Sequence, residues 1–204
     1  MELRFSRNNL LNTVLRDERG EPLFRIHTTP GWTGRITTVS RFVAGRKSTS
    51  YARPPVEGVR RDNASDTDIH LMGLEEREVA QIEWHAFRQS VFCHGGQKKK
   101  IDSYMPGKGV LQRRRIFTAS DGRAYRWVLG MRTCWLKTDD GNDAKLARFH
   151  RSSTGIIGEA HNTFLEISPE AVPILEELVM TFIWVERRRE QREKAGKKYI
   201  WMKP

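Results

Sequence analysis

Hydrophobic and polar residues alternate over most of this chain, in short segments that turn residues separate. Alternation with a period of two is typical of a β-strand with one buried face. Ser120-Asp121-Gly122 is one of the turn signals between such segments. About ten strands at hairpin spacing predict an antiparallel barrel or sandwich. The predicted strands are Asn12–Arg16, Pro22–Thr28, Arg35–Val43, Glu78–Ala86, Val110–Thr118, Arg123–Leu129, Met131–Lys137, Lys145–His150 and Thr163–Ile167.

Two segments of the chain lack this alternation of hydrophobic and polar residues. Ala44–Asp68 combines glycine, serine, Pro-Pro and scattered arginines with almost no periodicity, which predicts a long flexible loop. Gly95–Gly109 contains three consecutive lysines and several glycines, and we predict a second loop there.

One helix is predicted, near the C-terminal end. Ser168 suits the N-cap and Pro169 the first helical position, while Pro173 moves the true start by about a turn. We predict a helix over residues 169–194 that Gly196 ends, followed by a basic tail at 196–204. Between residues 178 and 185 only one residue, a threonine, is polar. A helix that is apolar nearly all round must be surrounded, so its core residues are Leu178, Val179, Phe182, Ile183 and Val185.

The preceding strands are the best candidates to surround this helix. A membrane span needs about 20 apolar residues, whereas Val172–Val185 is shorter and contains two glutamates, so we expect no transmembrane segment. The predicted fold is therefore mainly β: an antiparallel β-barrel of about ten to twelve strands that encloses one hydrophobic C-terminal α-helix. Residues 1–195 form a single domain on this prediction.

Several short motifs, in their order along the chain, resemble the fungal family described as a domain of unknown function (DUF6593). That family has no established activity. The resemblance extends from about residue 3 to residue 190 and rests on Asn12-Thr13 with Leu15 and Asp17, Leu23-Phe24-Arg25-Ile26, Ile82-Glu83-Trp84-His85, Phe117–Trp127, Ala147-Arg148-Phe149-His150, Leu165-Glu166-Ile167 and Thr181–Glu186.

Strands followed by one hydrophobic C-terminal helix are also similar to the tubby C-terminal fold, which phospholipid scramblases and the plant LURP-one-related proteins share. This resemblance implies a barrel around a central helix at about Pro169–Glu186. Fold alone does not fix function, and the basic stretches of this chain do not map onto tubby's phosphoinositide-binding residues. No binding residue is therefore carried over.

The charge of the chain is unevenly distributed. Lysine and arginine number 36 against 25 acidic residues, a formal net charge of +11. Lys98–Arg115 has a net charge of +6 and Glu186–Pro204 a net charge of +5, so the remainder is balanced. With 38% hydrophobic residues the chain can bury a core. The pattern therefore indicates a globular body with two basic patches rather than a uniformly basic coat.

The basic patches are the strongest functional signal, and three uses of them remain open. They could bind an anionic membrane surface or a phosphoinositide, or an acidic protein partner. Nucleic acid is the alternative, although few aromatic residues interleave with the patch to stack on bases. The third alternative is a solvated surface without a ligand. The candidate anion-binding residues are Lys98, Lys99, Lys100, Lys108, Arg113, Arg114 and Arg115.

A small polar site is a further possibility. Glu83 and His85 share one strand face, and with His150 they could form an acid–base or metal site. The alternative, which we favour, is that they face outward and pair with cross-strand neighbours. The sequence contains no nucleophile-elbow, P-loop or zinc-protease motif. We therefore expect a binding module rather than an enzyme, with no cofactor and no metal.

The remaining signals concern the compartment. Cys93 and Cys134 are unclustered, which predicts free thiols in a reducing environment. Residues 1–20 lack the apolar run of a secretory signal. We expect a cytoplasmic protein, peripherally associated with membranes, and a nuclear location is the alternative.

Overall fold

The computed structural model describes residues 1–32, 34–44, 74–85, 87–153 and 162–201. Over these residues the chain forms thirteen strands and two α-helices, α1 (Ile101–Tyr104) and α2 (Leu175–Trp201), with 3-10 turns at Val110–Gln112 and Pro169–Ile174. The strands are β1 (Glu2–Phe5), β2 (Thr13–Arg16), β3 (Pro22–Gly31), β4 (Gly34–Ala44), β5 (Leu74–His85), β6 (Val91–His94), β7 (Gln97–Lys100), β8 (Gly107–Lys108), β9 (Arg114–Thr118), β10 (Ala124–Leu129), β11 (Cys134–Thr138), β12 (Lys145–His150) and β13 (Phe164–Ile167).

All thirteen strands belong to one antiparallel sheet. Its order is β7-β6-β5-β4-β3-β2-β1-β13-β12-β11-β10-β9-β8, so the first and last strands of the chain pair in the middle. The predicted mainly-β, antiparallel class is confirmed. The predicted barrel is not, because backbone pairing stops at β7 and β8 and the sheet is not closed by hydrogen bonds.

The two edges of the sheet are joined by helix α1. Only residues 101–106 separate the end of β7 from the start of β8, which limits the distance between the edges to the reach of six residues. The ring of Tyr104 lies 5.4 Å from the ring of Phe92 on β6 and 6.2 Å from that of Phe117 on β9. Side-chain packing therefore connects the two edges where backbone pairing does not.

The core of the molecule is the first half of α2. The five predicted core residues have no exposed surface: Leu178, Val179, Phe182, Ile183 and Val185. The ring of Phe182 lies 6.2 Å from Phe5 on β1, 6.0 Å from Trp127 on β10 and 5.0 Å from Phe149 on β12. Because these strands lie in different parts of the sheet, the sheet curves around the helix.

The bounds of this helix differ from the prediction at both ends. A 3-10 turn at Pro169–Ile174 precedes the α-helix, because Pro173 has no backbone N–H to donate within it. Helix α2 then continues through Gly196 to Trp201. A glycine weakens a helix by about 1 kcal/mol but does not oblige it to end. The predicted stop at Gly196 was therefore wrong.

The two predicted loops have different outcomes. Ala44–Asp68 lies outside the described residues except for Ala44 itself, which ends β4. The predicted loop Gly95–Gly109 was wrong, because it contains β7, α1 and β8. Gly95 and Gly96 have φ angles of 57° and 74°, as a two-residue hairpin turn requires, and this turn places the three lysines on a strand.

Candidate anion-binding surface

One end of the sheet is basic. Connections between paired antiparallel strands alternate between the two ends of the sheet within β1–β7 and within β8–β13, and the antiparallel pairing of β1 with β13 relates these two halves. With these pairings, α2 leaves the sheet at the end where β1–β2, β3–β4, β5–β6, β8–β9, β10–β11 and β12–β13 are connected. The described parts of these connections contain no aspartate or glutamate. They carry Arg7, Arg88, Arg113, Arg132 and Arg151, all exposed. We call this end the basic end.

The opposite end is acidic. Its described connections are residues 17–21, 95–96, 119–123 and 139–144, where the basic residues are Arg19 and Arg123. The acidic residues there are Asp17, Glu18, Glu21, Asp121, Asp139, Asp140 and Asp143. We call this end the acidic end. Among the connections that the structure describes, charge is therefore polarised along the strand direction.

Four large apolar side chains are exposed at the basic end. Trp32 and Phe87 are fully exposed, Met131 is 81% exposed and Leu111 is 67% exposed. Each lies in a different connection and within three residues of an exposed arginine. By comparison, Val172 near the acidic end is 44% exposed. Exposed apolar groups concentrated on one face are typical of an interaction surface.

The outgoing part of α2 holds the basic end together. Arg189 is buried and donates two hydrogen bonds to the carboxylate of Glu186, at 2.7 and 2.6 Å, and one to the carbonyl oxygen of Met131 at 2.9 Å. Burial raises the pKa of Glu186 from its ordinary value, and the guanidinium of Arg189 opposes that shift. This pair fixes the β10–β11 connection against the helix, so Met131 projects from an anchored backbone.

A polar cleft of about 600 Å³ lies beside α2 at the same end. Asn8, Asn12, Thr28, Arg35 and Lys194 are among the residues that line it. A neighbouring cleft of about 300 Å³ includes Arg151, which pairs with Glu193 at 3.0 Å. The basic end is therefore indented as well as charged.

Arg115, one of the predicted anion-binding residues, does not lie on this exposed surface. The side chain is 3% exposed. Its guanidinium donates to Asp102 at 2.5 Å, to the carbonyl oxygen of Met105 at 3.1 Å and to Gln112 at 2.9 Å. It also lies 4.9 Å from the ring centroid of Trp184 on α2. Arg115 is a structural residue that links α1, β9 and α2.

The three predicted lysines do not form one patch. Because side chains alternate along a strand, Lys99 of β7 faces away from Lys98 and Lys100. Lys98 donates to Glu83 at 2.7 Å, and this hydrogen bond and the carboxylate charge raise the pKa of Lys98. Lys99 lines a separate crevice of about 180 Å³ with Tyr104. Lys108 and Arg114 face each other across β8 and β9, and both are exposed.

The predicted polar site is divided between two places. On β5, the Nε2 atom of His85 lies 3.7 Å from the Oε2 atom of Glu83. On β12, the Nε2 atom of His150 lies 2.8 Å from the Oε2 atom of Glu166. These strands are far apart in the sheet order, so Glu83, His85 and His150 do not form one group. The described ranges contain no cluster of three or more His, Cys, Asp or Glu side chains arranged to hold a metal ion.

The two cysteines also lie apart. Cys93 is half-buried on β6 and Cys134 is buried on β11, and both are free thiols. Burial raises the pKa of Cys134 well above its ordinary value, and Glu186 nearby adds to that shift. A thiol of this kind is protonated and unreactive.

Sequence reasoning missed most of the basic end. It located the charge excess in two stretches of sequence, whereas Arg7, Arg88, Arg132 and Arg151 are scattered singly through balanced segments. The signal that could have found them is an apolar residue next to an arginine within a connection, as in Phe87-Arg88 and Met131-Arg132. It becomes visible only when the connections are assigned to the two ends of the sheet.

None of the helices in the described part of the chain is both long enough and apolar enough to cross a bilayer. Comparison with curated proteins and with solved structures finds no match. A family model matches residues 8–191, which is well over half of the chain, and its description is a family of unknown function. The expected family is confirmed: the chain belongs to the family of unknown function DUF6593.

Proposed function

We propose that this protein is a non-enzymatic module that docks its basic end on an anionic membrane surface. One observation carries the proposal: four connections at the same end each expose a large apolar side chain close to an arginine. Aromatic side chains favour the membrane–water interface. Arginines attract anionic headgroups while they leave the apolar tips free to insert.

The charge distribution supports one orientation. Each arginine near an anionic leaflet contributes about 1 kcal/mol, and this contribution falls off within a Debye length. The connections of the acidic end lie at the opposite end of the strands, where they face away from the leaflet and are repelled by it. Docking by the basic end therefore places the arginines against the anionic leaflet and keeps the carboxylates of the acidic end away from it.

We also infer that the fold is a tubby-like barrel. The burial of the first half of α2 on all sides supports this inference, as does the contact of Tyr104 with rings near both edges of the sheet. On this proposal the barrel is completed by packing through α1 instead of by a β7–β8 ladder. An experimental structure with a hydrogen-bonded β7–β8 pair would leave the barrel in place but contradict this form of closure.

Sedimentation with vesicles tests the proposed function. Vesicles of phosphatidylcholine alone are compared with vesicles that also contain phosphatidylserine, over a series of salt concentrations. We expect binding only with phosphatidylserine, and weaker binding as salt rises, because exposed charges are screened. Binding to a single-stranded oligonucleotide but to neither kind of vesicle would favour the nucleic-acid alternative and contradict the proposal.

Paired variants test whether vesicle binding depends on the basic end or on any exposed charged or apolar residue. Trp32→Ala combined with Phe87→Ala should weaken vesicle binding at least tenfold, whereas Val172→Ala at the other end should leave it unchanged. Arg88→Glu combined with Arg132→Glu should weaken it similarly, and Arg19→Glu serves as its control. Equal losses in the control variants would show that binding does not depend on the basic end.

A third comparison tests the original lysine patch. Replacing Lys98, Lys99 and Lys100 with glutamate reverses charge at the edge strand, and Lys98 there already pairs with Glu83. We expect a smaller loss of vesicle binding than with the Arg88 and Arg132 substitutions. A larger loss would move the docking surface to β7.

A further inference from the structure

The polar cleft of about 600 Å³ at the basic end is lined by residues from three parts of the chain. Residues 8–12 belong to the β1–β2 connection, and a second group comes from β3 and β4 where these strands are joined. The third part is α2, whose Arg187, Glu190 and Lys194 are spaced three and four residues apart and so share one helix face. Clefts of this size hold small organic ligands, and the groups that line this one define the chemistry of its ligand.

Two asparagines of the β1–β2 connection line the cleft with their amide oxygens already engaged. The Oδ1 atom of Asn9 accepts a hydrogen bond from the backbone N–H of Leu11 at 3.1 Å, and that of Asn12 accepts one from the backbone N–H of Thr28 at 3.0 Å. Because a backbone N–H donates only to an acceptor, these bonds fix the orientation of both amides. The amide N–H2 groups, which have no partner within the described part of the chain, remain as donors for a ligand.

The charged residues of the cleft leave an excess of positive charge. Arg187 and Glu190 pair at 3.2 Å and neutralise each other. Arg35 on β4 and Lys194 on α2 are exposed, and neither forms an ion pair with another described residue. Since these two residues are accessible and belong to different parts of the lining, a ligand in the cleft can meet a cation from each.

This set of groups favours an anion over a neutral sugar or alcohol. A hydroxyl group both donates and accepts, so a sugar needs acceptors in its site as well as donors. The carboxylate that lines the cleft, that of Glu190, is paired with Arg187, and the hydroxyl of Thr28 already donates to the carbonyl oxygen of Leu11 at 2.7 Å. An ionised phosphate group, by contrast, accepts hydrogen bonds and is bound most strongly by charged donors.

We propose that this cleft binds a phosphate monoester, whose oxygens accept from Arg35, Lys194 and the amide N–H2 groups of Asn9 and Asn12. A monoester carries between one and two negative charges near neutral pH, which two cations balance, and it offers three acceptor oxygens to donors from different sides. The cleft is larger than a phosphate group and is also lined by apolar side chains such as Leu10. It therefore has room for the organic part of the ester.

The position of the cleft favours a lipid headgroup as the source of the monoester. Strands β3 and β4, which both contribute to the lining, are joined by the connection that carries the fully exposed Trp32. Insertion of Trp32 into a leaflet would bring headgroups to the mouth of the cleft. The lipid source rests on the proposed function, whereas binding of the monoester itself does not.

Glycerol phosphate in solution is the first probe. The melting temperature of the full chain is measured against its concentration, with sodium chloride keeping the ionic strength constant and glycerol as the uncharged control. Binding to the folded state raises the melting temperature in a saturable way. We expect this rise with glycerol phosphate and none with glycerol at the same concentrations. No rise, or an equal rise with glycerol, overturns the proposal.

Two substitutions remove donors without removing the hydrogen bonds that hold the connection. Asn9→Asp and Asn12→Asp keep an oxygen for the backbone N–H groups of Leu11 and Thr28 but replace the amide N–H2 with negative charge. We expect each to weaken binding of glycerol phosphate at least tenfold. Asn142→Asp, which adds the same charge to an exposed position at the acidic end, should leave binding unchanged. Melting temperatures without ligand show whether the variants are folded.

Neutral substitutions test the two cations. Arg35→Gln and Lys194→Gln should each weaken binding of glycerol phosphate at least fivefold, whereas Arg123→Gln at the acidic end should not. Binding that is unchanged in both, and in the two aspartate variants as well, overturns the assignment of the cleft.

Vesicles distinguish a lipid monoester from a soluble one. Phosphatidic acid ends in a phosphate monoester, whereas phosphatidylserine offers a phosphodiester and a carboxylate. At matched vesicle charge we expect at least fivefold tighter binding to phosphatidic acid, with the preference lost in Asn12→Asp. A preference for phosphatidic acid that survives in Asn12→Asp overturns the cleft as the headgroup site.

The outcomes separate this inference from the proposed function. Equal binding to both lipids, together with no stabilisation by glycerol phosphate, overturns the inference and leaves general anionic docking standing. Saturable stabilisation by glycerol phosphate without binding to either vesicle supports the cleft as a site for a soluble monoester and overturns membrane docking.

Discussion

The indole nitrogen of Trp127 donates a hydrogen bond to the hydroxyl of Thr181 at 2.9 Å, inside the core. Thr181 is the one polar residue between positions 178 and 185. Its hydroxyl in turn donates to the carbonyl oxygen of Glu177 at 2.8 Å. Thr181 therefore provides the acceptor that the buried indole N–H of Trp127 needs. This hydrogen bond fixes α2 against β10.

Thr181→Val should destabilise the protein by about 1–3 kcal/mol, although valine has nearly the same shape. The substitution leaves the Trp127 N–H buried without an acceptor. Chemical denaturation measures the change in the free energy of unfolding. In a Trp127→Phe background the same substitution should cost much less, and an undiminished cost would show that the hydrogen bond does not matter.

Val179→Asp should cost more than about 4 kcal/mol and prevent stable folding, because the position is fully buried and has no partner for a carboxylate. Val172→Asp is the matched control, since Val172 is 44% exposed in the 3-10 turn before the helix. Expression, solubility and melting temperature are compared. A soluble Val179→Asp protein with the parent's melting temperature would show that α2 is peripheral.

Gly34→Ala should destabilise the protein by about 1–3 kcal/mol. A Cβ atom there would lie 1.8 Å from the carbonyl oxygen of Trp84 on β5, and backbone on both strands would have to separate. Gly196→Ala is the opposite case. That glycine is inside α2 with no atom within 4 Å of the added carbon, so alanine should stabilise by up to about 1 kcal/mol. Thermal melts compare the two variants with the parent.

Stability should fall between pH 10 and pH 12. The buried hydroxyl of Tyr125 donates to Asp121 at 2.5 Å, and burial followed by this hydrogen bond raises its pKa to about 12. The unfolded chain releases the same proton near pH 10, so rising pH favours unfolding over that window. Tyr125→Phe should flatten the decline in part, because burial also raises the pKa of Tyr104. Denaturant midpoints across the pH range, with tyrosinate absorbance, provide the measurement.

The sequence pattern predicted the strands in which apolar and polar residues alternate, so that one face of the strand is buried. Ala80 and Ile82 alternate with Gln81 and Glu83 on β5, and the first two are buried as predicted. Strand β7 was missed because it consists of Gln97 followed by three lysines, with every side chain exposed. Lysine on an edge strand discourages pairing with another chain, so the residues that protect the edge also conceal the strand.

The candidate site was less predictable than the fold, for a physical reason. Hydrophobic periodicity records which side chains are buried, and the core residues of α2 followed from it. The basic end depends instead on which connections share an end of the sheet, and Trp32, Phe87, Leu111 and Met131 are widely separated in sequence. Their common location follows from the strand order, and the pairing of β1 with β13 is not readable from any local pattern.

That central pairing also dictates when the protein can fold. Leu3 of β1 stands opposite Leu165 of β13, and α2 follows later still in the chain. During synthesis, the strands made first therefore have neither their central partner nor the helix that covers their apolar face. Contacts of such large sequence separation close slowly, and uncovered apolar strands aggregate. A chain released before α2 was made would lack its core, so this domain completes folding only after α2 has left the ribosome.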